Sequence, residues 1–199
     1  MKKYILFLLP LFLGLLVSND IEAKKKKYPN GDRYEGEWKD GAPNGNGKMI
    51  YANGDIYIGS WLSGNKHGKG EMAYANGDHY EGSWRIGAKD GDGKMIYTNG
   101  SIYEGSWKTE HPNDKGKMIY ANGNIYEGSW KMGVRNGYGT MSYANGNCYK
   151  GNWKDGNYDG NSIMKYANGD VYEGEWKLEK PSGRGRMAHV NGDIYEGSW

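Results

Sequence analysis

The sequence is short of the residues that usually build a core or a chemical site: two Phe, one Cys, four His and five Pro among 199 residues. A single cysteine, Cys148, excludes an intramolecular disulfide in any compartment and reads as a small apolar residue. With two Phe against 18 Tyr and eight Trp, burial falls to amphipathic rings whose hydroxyl or indole N–H needs a partner, so a thin, partly wet structure is expected. A basic field is missing too. Six of the 26 basic residues (Lys2, Lys3 and Lys24 to Lys27) precede Tyr28, leaving 20 basic against 22 acidic residues beyond it, which excludes nucleic-acid binding driven by charge.

Long apolar runs are confined to the start. Met-Lys-Lys followed by Tyr4 to Val17 has the charge and length of a secretory leader and falls short of the ~20 residues that span a bilayer. Residues 1–23 are therefore read as a signal-peptide helix, cleaved between Ala23 and Lys24, with an uncleaved N-terminal membrane anchor as the alternative. The expected localisation is secreted, periplasmic or cell envelope. Residues 24–33 read as a basic linker and lead-in strand, and Lys24 to Lys27 could touch an anionic surface at about 1 kcal/mol per Lys.

What the sequence has in abundance is repetition. Tyr recurs at 34, 57, 80, 103, 126, 149, 172 and 195 with Trp four residues after each, a period of 23 without a single indel. The units are 34–56, 57–79, 80–102, 103–125, 126–148, 149–171, 172–194 and a partial 195–199. Asn-Gly pairs such as Asn53-Gly54 lie between Tyr-containing runs and signal hairpins. A two-residue Asn-Gly loop would put Tyr57 and Trp61 on the face opposite Met49 and Tyr51. A three-residue Ala-Asn-Gly loop with a left-handed Gly54 pairs Met49 with Tyr57 and Gly47 with Gly59, gathering the rings on one side, and this register is preferred. The glycines then leave room for rings to lie over the backbone. The opposite face carries Glu and Lys as exposed cross-strand pairs, together with an apolar ribbon that includes Ile96, Ile102, Ile119 and Ile125.

The string Tyr34-Glu35-Gly36-Glu37-Trp38-Lys39-Asp40-Gly41, followed by Gly45-Asn46-Gly47-Lys48-Met49-Ile50-Tyr51-Ala52-Asn53-Gly54, resembles the MORN repeat, and the resemblance runs from Tyr34 to Trp199. It implies an all-β fold, an elongated single-layer antiparallel meander of repeated β-hairpins, serving as a scaffold, partner-binding platform, dimerisation surface or membrane-associated module; the length of the array gives about 15 strands. Departures are local: Asp114 and Ser162 replace glycines, Ile58 and Lys150 replace Glu, and His189 replaces a Tyr.

Chemistry finds little support. His67, His79, His111 and His189 occupy four different phases of the repeat and cannot stack as metal ligands. Carboxylate pairs such as Glu35/Glu37 lack a cleft to raise one pKa, which argues against a glycan-acting enzyme. The Asn-Gly-Asp turns offer too few carboxylates for calcium. No cofactor and no metal is expected, and a small-molecule ligand is not. The reading is a non-enzymatic binding or scaffold module of the cell envelope or exterior that presents a periodic Tyr/Trp face, with Tyr57, Trp61, Tyr80, Trp84, Tyr103, Trp107, Tyr126 and Trp130 as candidate binding residues. The partner would be another protein or a second copy, the latter favoured by the exposed edge of a repeat array; the alternative is a membrane- or lipid-associated adaptor.

Overall fold

A computed structural model describes residues 22–199. The leader expected over 1–23 lies outside them except for its last two residues. The described chain is one antiparallel sheet whose strands are ordered as in the sequence. The strands are β1 (Glu22–Lys27), β2 (Arg33–Lys39), β3 (Ala42–Ile50), β4 (Ile56–Leu62), β5 (Asn65–Ala73), β6 (His79–Arg85), β7 (Ala88–Ile96), β8 (Ile102–Lys108), β9 (His111–Ile119), β10 (Ile125–Lys131), β11 (Val134–Ser142), β12 (Cys148–Lys154), β13 (Asn157–Lys165), β14 (Val171–Lys177), β15 (Lys180–Ala188) and β16 (Ile194–Ser198). Among the described residues there is no helix.

Sixteen strands stand where about 15 were expected, because the segment read partly as a linker is a strand: Lys24 to Lys27 pair with Gly36, Glu35, Tyr34 and Arg33. The signal for it was present. Tyr28-Pro29-Asn30-Gly31-Asp32 stands 23 residues before Tyr51-Ala52-Asn53-Gly54-Asp55 and makes the same turn, with the Tyr28 N–H donating to the Asp32 carbonyl at 2.9 Å. Ala23 and Lys24, the expected cleavage point, are both within β1.

Two turns alternate along the sheet. At the Asn-Gly turns the three-residue register holds: Met49 pairs with Tyr57 and Gly47 with Gly59, the Tyr51 N–H donates to the Asp55 carbonyl, and Gly54 has φ 95°. At the other turn Lys39 pairs directly with Ala42 across Asp40-Gly41, both left-handed (φ 48° and 80°), the two-residue geometry whose twist matches the strands. Residues 39–46 are therefore a tight hairpin and not a loop that could fold over the rings. A bulge follows in the second strand, where the twelfth residue of each unit is left-handed.

Candidate functional site

The ring-bearing face has a layered construction. Counting each unit from its first Tyr, that Tyr lies flat across the glycine pair of its own hairpin. A methyl group added at Gly47 or Gly93 would fall inside the ring of Tyr34 or Tyr80. The phenol donates to a carbonyl three residues on, Tyr57 to Ser60 at 2.9 Å for example. The Trp of the next unit stands edge-on: Trp84 is 5.1 Å from Tyr80 and 5.3 Å from Tyr57, at 90° and 82°. Each such contact contributes about 0.5–1.5 kcal/mol beyond area burial. The indole N–H reaches back across the unit boundary, from Trp84 to the Gly70 carbonyl at 3.1 Å.

This packing alters the role expected of the eight candidate residues. Tyr57, Trp61, Tyr80, Trp84, Tyr103, Trp107, Tyr126 and Trp130 do share one face, but all are buried, the four Tyr at 0 % exposure. A displayed aromatic surface is thus corrected to a buried aromatic ladder, because in a single layer each ring is covered by its neighbours in adjacent units.

What a partner would meet lies above the ladder. One wall is the row of second-strand Tyr (Tyr51, Tyr74, Tyr97, Tyr120, Tyr143, Tyr166), all half-buried. The other is the tenth residue of each unit, which sequence reading passed over because its identity varies. Lys66 stands over Trp84 at 3.9 Å, Lys89 over Trp107 at 4.9 Å and Arg135 over Trp153 at 4.2 Å, each ring belonging to the following unit. Tyr158 takes the same place against Trp176. The trough between the walls is open at Lys66, Tyr51 and Tyr74, where Met72 and Glu110 also line it. It is bridged beside them, by the Lys89 ammonium donating to the Tyr74 hydroxyl at 3.3 Å and by the hydroxyl contact between Tyr143 and Tyr158.

Charge in the trough is unevenly satisfied. Glu110 accepts from the Lys89 backbone N–H at 2.8 Å and pairs with its ammonium at 3.1 Å. It stands at a turn position that is left-handed in every unit and Gly in most, and has φ 72°. Burial lowers the Lys66 ammonium to about 8, with Glu110 opposing the shift and Lys89 adding to it. Burial raises the Tyr51 phenol to about 12, so the row is neutral and keeps its hydroxyl donors.

The Asn-Gly-Asp carboxylates join units. Asp32, Asp55 and Asp78 accept from the backbone N–H of Ala52, Ala75 and Thr98, each at 2.8 Å. The histidines are dispersed, His189 meeting Asp170 at 3.0 Å and His79 meeting Glu71 at 3.8 Å. Cys148 is half-buried on the face away from the rings.

The model for the MORN repeat matches residues 34–56, 57–79, 80–102, 126–148, 149–171 and 172–194. The unit at 103–125, with Glu110 and Asp114 at left-handed positions, is not among them. No curated protein matches the chain. Among solved structures, the G-box domain of the microcephaly protein CPAP is 15% identical, with 89% of this chain and 99% of that one covered and a TM-score of 0.50. The TCP domain of Drosophila melanogaster SAS-4, in complex with a proline-rich motif of Ana2, is 16% identical over 96% and 99%, with a TM-score of 0.42. At 15% identity the first of these is a likeness of fold.

Proposed function

This chain belongs to the MORN-repeat family, and we propose that it is a non-catalytic binding and scaffold module of the cell envelope or exterior that takes a segment of another protein into the trough above its aromatic ladder. The observation that carries this reading is the row of half-buried Tyr hydroxyls, faced at three units by Lys66, Lys89 and Arg135 seated on Trp rings. A regular surface of neutral donors and apolar rings is suited to an extended segment, which has a backbone to satisfy and side chains to seat at each repeat. Against catalysis stands the use of the carboxylates: those of the turns accept backbone N–H groups, and Glu35 and Glu127 sit in exposed ion pairs with Lys25 and Lys117.

The test is capture from the envelope fraction with the wild-type chain and with Tyr74→Ala and Lys66→Glu variants of unchanged circular dichroism. A protein retained by the wild type and lost with either variant is the expected result. Equal capture by all three would move the binding surface elsewhere, and absence of the chain from envelope and medium would remove the location.

A second reading, a membrane-associated adaptor, is favoured by one grouping. Lys25, Lys27, Arg33 and Lys48 lie together around Glu35 on the ring-free face of β1 to β3, beside Ile50, four cations to one carboxylate. Cosedimentation with anionic vesicles that is abolished when Lys24 to Lys27 are replaced would support it; binding indifferent to those lysines would not.

A further inference from the structure

The face away from the rings carries a ladder of charges, one residue per strand, that is complementary to itself. In the middle of the sheet Lys94, Glu104, Lys117 and Glu127 are successive cross-strand neighbours on β7 to β10. Next to them runs a row of Ile96, Ile102, Ile119 and Ile125, the most continuous apolar stretch of that face. Strict alternation of sign has a geometric consequence. If a second copy is laid face to face by a two-fold axis parallel to the strands and midway between two of them, each cation opposes an anion.

Many positions for such an axis would serve a perfect ladder, but this ladder has breaks, and the breaks select one. With the axis between β8 and β9, Glu104 opposes Lys117 of the second copy and Lys94 opposes Glu127. Ile58 on β4, where most other units carry Glu, meets Ile163 on β13, where most carry a cation. Glu71 on β5 meets Lys150 on β12, each of the sign opposite to that usual at its place in the repeat. Farther out, Lys48 meets Glu173, Glu35 meets Arg186, and Lys25 meets Glu196. Glu81 meets Thr140. No like charges oppose one another in this row. Moving the axis by one strand sets Lys48 or Lys94 against Lys150, and placing it on a strand sets a charge against itself.

We propose that the ring-free face is an interface between two copies of this chain, stacked about a two-fold axis between β8 and β9. The isoleucine row meets itself there, Ile102 against Ile119 and Ile96 against Ile125. The face spans about 70 Å by roughly 15 Å, on the order of 1,000 Å2 per copy, against the ~800 Å2 per partner of a standard stable interface. Twisted sheets stacked face to face keep their strands within about 30° of one another, and β7 to β10, which carry the isoleucine row, form the centre of the contact. The dimer leaves the aromatic trough of both copies open and does not rest on the partner-binding reading.

The experiment needs no unknown partner. Sedimentation of the chain in the form the cell makes is expected to show a dimer, and a monomer at every concentration overturns the proposal. Ala73 and Cys148 lie on β5 and β12, about 34 Å apart in one chain but opposed across the interface, with the sheets about 10 Å apart. An Ala73→Cys variant treated with a short bis-maleimide is expected to give a covalent dimer joined 73 to 148, while the wild type, with Cys148 alone, gives none. Linkage of 148 to 148, or a dimer without linkage, overturns the register. In a third arm, Glu71→Lys or Lys150→Glu creates two like-charge contacts per dimer and is expected to weaken it about tenfold, with the double reversal returning it to within about threefold. Failure of that rescue counts equally against the axis.

Discussion

Single residues in this chain are chosen chiefly by what lies over them. Glycine at the fourteenth place of each unit is the bed for a Tyr ring, and Gly93→Ala is expected to cost about 2 kcal/mol in chemical denaturation, since Tyr80 has no second place to go. Ser162 is the exception, and its unit shows the consequences. The Tyr149 hydroxyl binds Ser162 Oγ at 2.7 Å, Tyr149 stacks on Tyr158 at 3.7 Å, and the Trp176 indole N–H is left buried without a partner. Left-handed positions give a contrast. Glu179→Gly relieves a φ of 61° and is expected to stabilise by about 0.5–1 kcal/mol, whereas Glu110→Gly also removes the acceptor of the Lys89 N–H and ammonium and is expected to gain nothing. Lys66 adds a pH dependence. Its folded value of about 8 lies below the ordinary 10.5, so its buried charge opposes folding most below pH 8. Compared with Lys66→Met, the wild type should therefore gain stability as pH rises from 8 towards 10.5, and parallel curves would disprove this.

At the scale of the hairpin, stability depends on ties between units as much as on the strands. The Asp78 carboxyl is held below its usual range, first by the Thr98 backbone N–H and then by the Thr98 hydroxyl and the Asn76 amide. A depressed carboxylate contributes stability above its unfolded value that is lost as pH falls through the folded one. Acid should therefore loosen the tie between Asp78 and the Thr98 turn before it loosens the strands. Hydrogen exchange of the Thr98 amide, accelerating below the ordinary carboxylate range ahead of strand amides, is the expected sign. In Asp78→Asn the Thr98 amide should lose this acid dependence and keep much of its protection, as Asn124 and Asn147 already serve the same contact at 3.0 and 2.9 Å.

The described chain is a one-dimensional array in which each strand pairs only with the strands beside it in sequence. Excising 126–148, one full period, should therefore leave a cooperative sheet of lower midpoint. Excising an odd number of residues within a strand turns its rings to the wrong face and should abolish folding of the units around it. Circular dichroism and denaturation of the two deletions separate these outcomes. The in-phase deletion also removes Glu127 and moves Lys150 relative to Glu71, so it should weaken the dimer while preserving the fold.

Much of this was legible in the residues. The period of 23 set the spacing of the strands from Tyr34 onward, and the need to gather Met49, Tyr51, Tyr57 and Trp61 on one side set the hairpin register, because side chains in a strand alternate with period two. The phase of Tyr28 and Asn30-Gly31 even encoded β1, although four lysines disguised it. Local pattern cannot report what covers a ring, since that depends on a residue in the preceding unit. Tertiary structure alone decided that the Tyr and Trp are interior and that Lys66, Lys89 and Arg135 sit upon them.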